Sequence, residues 1–173
     1  AQGGFDGVEI FDAEKSKLTD LAVMREISDA ANQGGKNAPT AATYMKAVDT
    51  LAEKSDVIIT CLPSPESCSK VMTAKDGVLK GLKKNKIWLE MSTTDQSEVK
   101  RIGLMVKKKG SYSLDVPVSG GCHRAATGNI SIFAGGEKKV FKKVLPILKC
   151  MGRKILYTGE LGTASILKVI TNY

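Results

Sequence analysis

Apolar and polar positions along this chain alternate between two rhythms. Short apolar runs recur at residues 8–12 (VEIFD), 57–62, 87–91, 112–116, 130–136 (ISIFAGG) and 154–157. Runs of that length predict strands, and the unbroken stretch at 57–62 predicts one covered on both faces. Between them lie segments with helical spacing at 15–32, 47–54, 67–73, 97–109 and 138–150, and another opens at Leu161. In the first of these Leu18, Leu21, Ala22 and Met24 share one side, and Gly34 and Gly35 end it. Gly110 closes the segment at 97–109, and residues 42–45 read as one more short strand. The regular alternation predicts an α/β fold: a Rossmann-like, doubly wound, mainly parallel sheet with helices on both faces. Ligands of such a sheet gather at the carboxyl ends of its strands.

Length and composition narrow the class without changing it. At 173 residues, with 42% apolar and 25% charged types, the chain suits one globular domain and not a disordered, collagenous or coiled-coil protein. No run reaches the roughly eighteen apolar residues of a membrane helix, and the opening AQGGFDGVEI has no signal-peptide pattern, so no membrane partner is expected. The formal charge of +8 favours anionic ligands. Its lysines stand in runs at 83–86, 107–109 and 138–143 at helix ends or on helix faces. Aromatic residues are only 5% of the chain and do not interleave with these runs, so a nucleic-acid partner is not expected. The four cysteines form no CxxC pair and His123 is the only histidine, so no metal site is expected. Cys61 and Cys150 sit among apolar neighbours, as reduced core thiols would.

One expected signature is missing. No G-x-G-x-x-G follows a strand and opens a helix. The VEIFD run nonetheless ends in Asp12, where the second strand of a dinucleotide fold holds a ribose hydroxyl. The reading is that the first strand and most of the first crossover helix precede Ala1, so that the domain is incomplete.

Three loops follow strand ends and carry usable chemistry. In CLPSPESCSK, Pro63 and Pro65 stiffen the turn, and Ser64 or Ser67 can cap the next helix or meet a flat cofactor ring. EMSTTDQSEV offers Ser92, Thr93, Thr94 and Asp95, of which at least one is explained by capping. In DVPVSGGCHRAATGN, Ser119, Gly120 and Gly121 offer a hydroxyl and open backbone N–H groups, a nest for a carboxylate or simply a flexible turn. His123 and Arg124 follow as an acid/base and an anion contact, or as surface residues. Lys168 and Asn172 lie four apart and stack on one helix face. Lys168 stands among Ile166, Leu167, Val169 and Ile170, where partial burial favours the neutral amine that proton transfer needs.

Taken in order, CLPSPES, EMSTTD, VPVSGG and GELGTASILKVITN make the chain resemble the β-hydroxyacid dehydrogenase family over nearly its whole length. The resemblance implies a dinucleotide-binding domain over 1–158 and, at 159–173, the start of a long helix leading to an all-helical C-terminal domain. It implies NAD as cofactor, with Asp12 beside the adenosine ribose and Leu62, Pro63, Ser67 and Thr93 along the nicotinamide half. NADP is possible: a carboxylate at Asp12 repels a 2′-phosphate, while Lys15 and Lys17 blunt that preference. It implies that Ser119, Gly120 and Gly121 bind the substrate carboxylate, that Lys168 is the catalytic lysine, and that Asn172 orients the substrate hydroxyl. Ile170 and Thr171 stand where the 6-phosphogluconate branch has a histidine, which argues against that substrate. The implied reaction interconverts a small 3-hydroxy acid and its semialdehyde. The implied state is a homo-oligomer, in mitochondrial matrix or cytoplasm. The competing reading is a dehydrogenase-derived subunit without catalysis, kept for assembly or anion binding.

Overall fold

The computed structural model describes residues 41–172, with side chains from residue 48 onward. The strand expected at 8–12, the helix at 15–32 and Asp12 lie outside the described residues. The described chain begins with helix α1 (Ala41–Lys54) and strand β1 (Val57–Thr60). Helices α2 (Pro65–Thr73) and α3 (Val78–Gly81) lead to strand β2 (Ile87–Glu90). Helix α4 (Gln96–Lys108), strands β3 (Tyr112–Asp115) and β4 (Val118–Ser119), and helix α5 (Gly121–Ala126) follow. Strand β5 (Ile130–Gly136), helix α6 (Lys138–Met151), strand β6 (Gly152–Gly159) and helix α7 (Thr163–Ile170) complete it.

Local signals explain most boundaries. Ser64 caps α2 by accepting from the Ser67 N–H at 3.2 Å, and Pro65 stands at the first helical position, where its missing N–H costs nothing. Asp95 caps α4 by accepting from the Ser97 N–H at 2.6 Å. Gly110, at φ 75°, takes the left-handed turn after α4 that a side chain disfavours. Two expectations fail here. Residues 42–45 form the first turn of α1, not a strand, because the helical segment at 47–54 extends back across the alanines and methionine before it. The stretch at 57–62 is not covered on both faces: Ile58 and Thr60 are buried, while Ile59 is 39% exposed.

β1, β2 and β3 are parallel neighbours in that order, so their carboxyl ends share one edge. β5 runs antiparallel to β3, and β6 runs parallel to β5. β3 and β4 pair with β5 in one unbroken register: Leu114 opposite Gly136, Asp115 opposite Gly135, Val118 opposite Ile132 and Ser119 opposite Ser131. They are one strand interrupted at Pro117, whose carbonyl still accepts from the Phe133 N–H at 3.0 Å. Beyond Asp115 this strand, β5 and β6 project past the shared edge. The sheet is Rossmann-like and mixed, its parallel part carrying the first two loops.

Two apolar layers cover the sheet. On one face Ile58, Trp88, Ile102 and Val106 pack with Cys68, Met72 and Leu82 beneath α2, α3 and α4. On the other, Leu89, Leu114, Ile132 and Ala134 pack with Val140, Val144 and Leu148 of α6. Each such fully buried branched side chain stabilises the fold by about 1.5–3 kcal/mol relative to exposure. The lysine runs lie outside both layers: Lys138, Lys139, Lys142 and Lys143 are exposed on α6, and Lys107 and Lys108 end α4.

Candidate active site

One rung of the sheet organises the carboxyl edge. Thr60, Glu90, Asp115, Gly135 and Gly159 stand side by side on β1, β2, β3, β5 and β6. Two adjacent members of that rung are fully buried carboxylates, Glu90 and Asp115. Burying a charge without partners is expensive, so what surrounds each shows what it does.

Glu90 ties the first two loops together. One oxygen accepts from Thr60 Oγ1 at 2.6 Å and Cys68 Sγ at 2.8 Å, and the other from the Ser92 N–H at 2.7 Å. Trp88 Nε1 donates to Thr60 Oγ1 at 2.8 Å, and Ser92 Oγ accepts from the Leu62 N–H at 2.8 Å. CLPS and MSTT are therefore held as one unit above the ends of β1 and β2. Burial and the neighbouring Glu90 carboxylate push the Cys68 thiol far above its ordinary range, so it acts only as a donor here. Along the rim Leu62 and Ser67 are half-buried, while Pro63 and Thr93 are exposed. The Ser67 N–H is spent on the Ser64 cap, and its hydroxyl lies 3.2 Å from that of Ser64. The Leu62 N–H bond to Ser92 thus sets the Leu62–Pro63 turn beside the loop that carries Thr93.

Asp115 ties the third loop to the last helix. Its carboxylate accepts from the Gly162 N–H at 2.8 Å, the Ser165 N–H at 2.8 Å and Ser165 Oγ at 3.1 Å. It therefore caps the amino end of α7, where backbone N–H groups and the helix dipole both favour an anion. From there α7 packs against β5 and β6. Those strands run from this rung past the sheet edge, where Ser131 pairs with Ser119. Lys168, on the buried side of α7 and 8% exposed, donates from Nζ to Asn172 Oδ1 at 2.8 Å. Thr171 Oγ1 donates to the Lys168 carbonyl at 3.0 Å.

Ser119 is half-buried in β4 opposite Ser131, and Gly120 and Gly121 follow it with φ of 134° and 69°. The segment is thus not a plain loop: it is a short strand turned by two glycines into α5. A side chain at Gly120 would sit 2.9 Å from Arg124 Cδ, whereas nothing lies within 4 Å of the Cβ position of Gly121. His123 and Arg124 are exposed on α5. Cys61 and Cys150, expected in the core, are exposed, and only Cys68 is buried. Cys61 lies past the end of β1, where the apolar run has already left the sheet.

The EMSTTD loop and α7 flank a cavity of about 250 Å³ lined by Thr94, Asp95, Gln96, Ser165, Ile166, Val169 and Ile170. A larger one of about 460 Å³, near Leu79, Lys80, Met105 and Lys108, is lined by none of the candidate cofactor- or substrate-binding residues. No group of metal-ligating side chains occurs among the described residues, and no helix there is long and apolar enough to cross a membrane. Sequence reasoning missed Glu90, Asp115, Thr60 and Ser165. The available signal was an acidic residue at the carboxyl end of an apolar strand, in WLE and again in SLD.

Residues 4–159 match the family model described as the NAD binding domain of 6-phosphogluconate dehydrogenase. The chain belongs to that family. Within it, 3-hydroxyisobutyrate dehydrogenase of Mus musculus, a mitochondrial protein, is 38% identical over 122 residues, 70% of this chain and 36% of that protein. A 2-(hydroxymethyl)glutarate dehydrogenase of Eubacterium barkeri is 32% identical over 122 residues, again 70% of this chain and 40% of that protein. Among solved structures, Mycobacterium tuberculosis 3-hydroxyisobutyrate dehydrogenase with L-serine superposes with a TM-score of 0.68 at 27% identity, over 72% of this chain and 42% of that one. An imine reductase of Myxococcus stipitatus in complex with NAD+ shares the fold, with a TM-score of 0.65 at 16% identity. The chain spans well under half the length of these relatives. The Rossmann-like sheet and the NAD-binding domain expected from sequence are borne out.

Proposed function

We propose that this chain forms the NAD-binding part of a hydroxyacid dehydrogenase that interconverts a small 3-hydroxy acid, of the 3-hydroxyisobutyrate kind, and its semialdehyde. The observation that carries the reading is the Lys168–Asn172 pair, 2.8 Å apart on a helix fastened to the strand that leads into the Ser119 turn. NAD, when bound, supplies the hydride acceptor, with NADP as the alternative cofactor. Ser119 and the N–H groups of Gly120 and Gly121 hold the substrate carboxylate, which the two glycines leave room to approach. Asn172 orients the substrate hydroxyl, and its side-chain oxygen holds the Lys168 amine in place beforehand. Lys168 takes the hydroxyl proton as the C–H bond breaks, and returns it in the reductive direction. Leu62, Pro63, Ser67 and Thr93 line the nicotinamide half of the cofactor and exclude water from its face.

The test uses the intact protein, with NADH titrated by fluorescence and turnover followed on 3-hydroxyisobutyrate and glycerate. Lys168→Ala is expected to bind NADH normally and to lose about 10³-fold in kcat, within the range for a general base. Undiminished turnover in that variant removes Lys168 from the mechanism. Absent cofactor binding in the unmodified protein favours a non-catalytic module instead.

A further inference from the structure

We infer that Asp115 is a positioning residue for this site: its buried carboxylate joins the strand that leads to the Ser119 turn to the helix that carries Lys168. The inference rests on the dehydrogenase reading above and adds to it a residue that touches neither substrate nor cofactor. The geometry is specific. Asp115 is fully buried, and all three groups that donate to it belong to the opening of α7: the N–H groups of Gly162 and Ser165 and the Ser165 hydroxyl. Ser165 lies one turn before Lys168 and is buried on the same side of the helix. The next rung member leaves no tolerance for movement. A Cβ at Gly135 would lie 2.4 Å from Asp115 Oδ1, 2.7 Å from the Glu160 carbonyl oxygen and 2.9 Å from Thr163 Oγ1. The junction is therefore locked by contact as well as by hydrogen bonds. In the other direction, Ser119 stands four positions beyond Asp115, at most about 14 Å of extended chain. One side chain thus sets the relative placement of the two halves of the proposed site.

An amide at this position cannot do the same. Asn can turn only one acceptor toward α7, and its NH₂ then faces a backbone N–H or the Ser165 hydroxyl. The helix is expected to shift by about 1 Å to relieve that contact, and a misplacement of that size costs about a hundredfold in rate.

The test measures Asp115→Asn, Gly135→Ala and Lys168→Ala in the intact protein. Each variant is corrected for its folded fraction from the thermal transition and for cofactor-competent sites by NADH titration. The expected result is a fall of about a hundredfold in kcat for Asp115→Asn, with NADH affinity within about twofold of the unmodified protein. Gly135→Ala should show the same split, because it displaces the same junction without changing any charge. A merely structural role would lower the folded fraction and leave kcat per folded site unchanged, and that result overturns the proposal. If the unmodified protein binds no cofactor and turns nothing over, the dehydrogenase reading fails; if Lys168→Ala retains turnover, Lys168 leaves the mechanism, and in either case the positioning role fails with it. If Lys168→Ala is inactive while both junction variants turn over normally, only the positioning role falls. Should Asp115→Asn fail to fold, Gly135→Ala and Ser165→Ala, which deletes one of the three donors, decide the question by the same measurements.

Discussion

Replacing Glu90 by Gln keeps the shape of a buried side chain and changes only what it can accept. The carboxylate takes three hydrogen bonds, from Thr60 Oγ1, Cys68 Sγ and the Ser92 N–H. The Gln oxygen can retain the bond from Ser92. Its NH₂ group must then face two atoms that donate to Glu90, and the Thr60 hydroxyl has little freedom to turn because it also accepts from Trp88 Nε1. A hydrogen bond to a charged group contributes about 1.5–3 kcal/mol, against about 1 kcal/mol for a neutral pair. One weakened bond and two opposed donors therefore place the loss at about 2–4 kcal/mol, a large part of the 5–15 kcal/mol that typically holds a domain together. The assay is built in, because Trp88 is the sole tryptophan and is itself a member of the network. Urea unfolding of the intact protein, followed by Trp88 emission and by far-UV circular dichroism, should show a lower midpoint at unchanged slope. The native emission should also shift, since the indole N–H loses its fixed partner. A loss below about 0.5 kcal/mol with unaltered emission would refute the claim that this carboxylate holds the two loops together, since so small a change is typical of a surface substitution.

Four other outcomes follow from the same structure. Gly81→Ala is expected to destabilise by about 3 kcal/mol or more by thermal denaturation, because its Cβ would lie 1.8 Å from the Asp49 carbonyl oxygen of α1. Among the four thiols, Cys61, Cys122 and Cys150 should react with a thiol reagent in the native protein and Cys68 only after unfolding. Cys68 has a folded value raised by burial, so its contribution to stability is present below the ordinary thiol value of 9.0 and is lost as pH rises above it; Cys68→Ala should flatten that alkaline fall in melting temperature. At the acidic end, Arg101 holds the Glu98 carboxyl below its ordinary 4.5, and Ser97 holds Asp95 below its ordinary 3.8. Both are depressed, so their stabilisation is present above those values and is lost as pH falls through the lower folded ones; the Asp95→Asn, Glu98→Gln double variant should lose less melting temperature on acidification than the parent.

Element order was legible because apolar periodicity is a local property. The runs at 87–91, 112–116 and 130–136 and the amphipathic segments at 97–109 and 138–150 lie within a residue or two of β2, β3, β5, α4 and α6. That a cap stands in each of the first two loops was legible for the same reason, since a cap is read from a residue and its next few neighbours; the structure selects Ser64 over Ser67, and Asp95 among the four candidates of its loop. The pairing of Lys168 with Asn172 needed only helical spacing. The errors came where neighbours in space outweigh neighbours in sequence. Ile59 is partly exposed and Cys150 is exposed although their local patterns are apolar, since exposure depends on what packs above them.

By itself the sequence determined the alternation of strands and helices, the loops that leave the strand ends, and the chemistry those loops can offer. Only the tertiary structure decided that β5 turns antiparallel to β3, and that Thr60, Glu90, Asp115, Gly135 and Gly159 form one rung. The physical reason is that a buried carboxylate is defined by its partners. Those of Asp115 lie 47 and 50 residues away, and two of those of Glu90 lie 30 and 22 residues away, so no local pattern could name them.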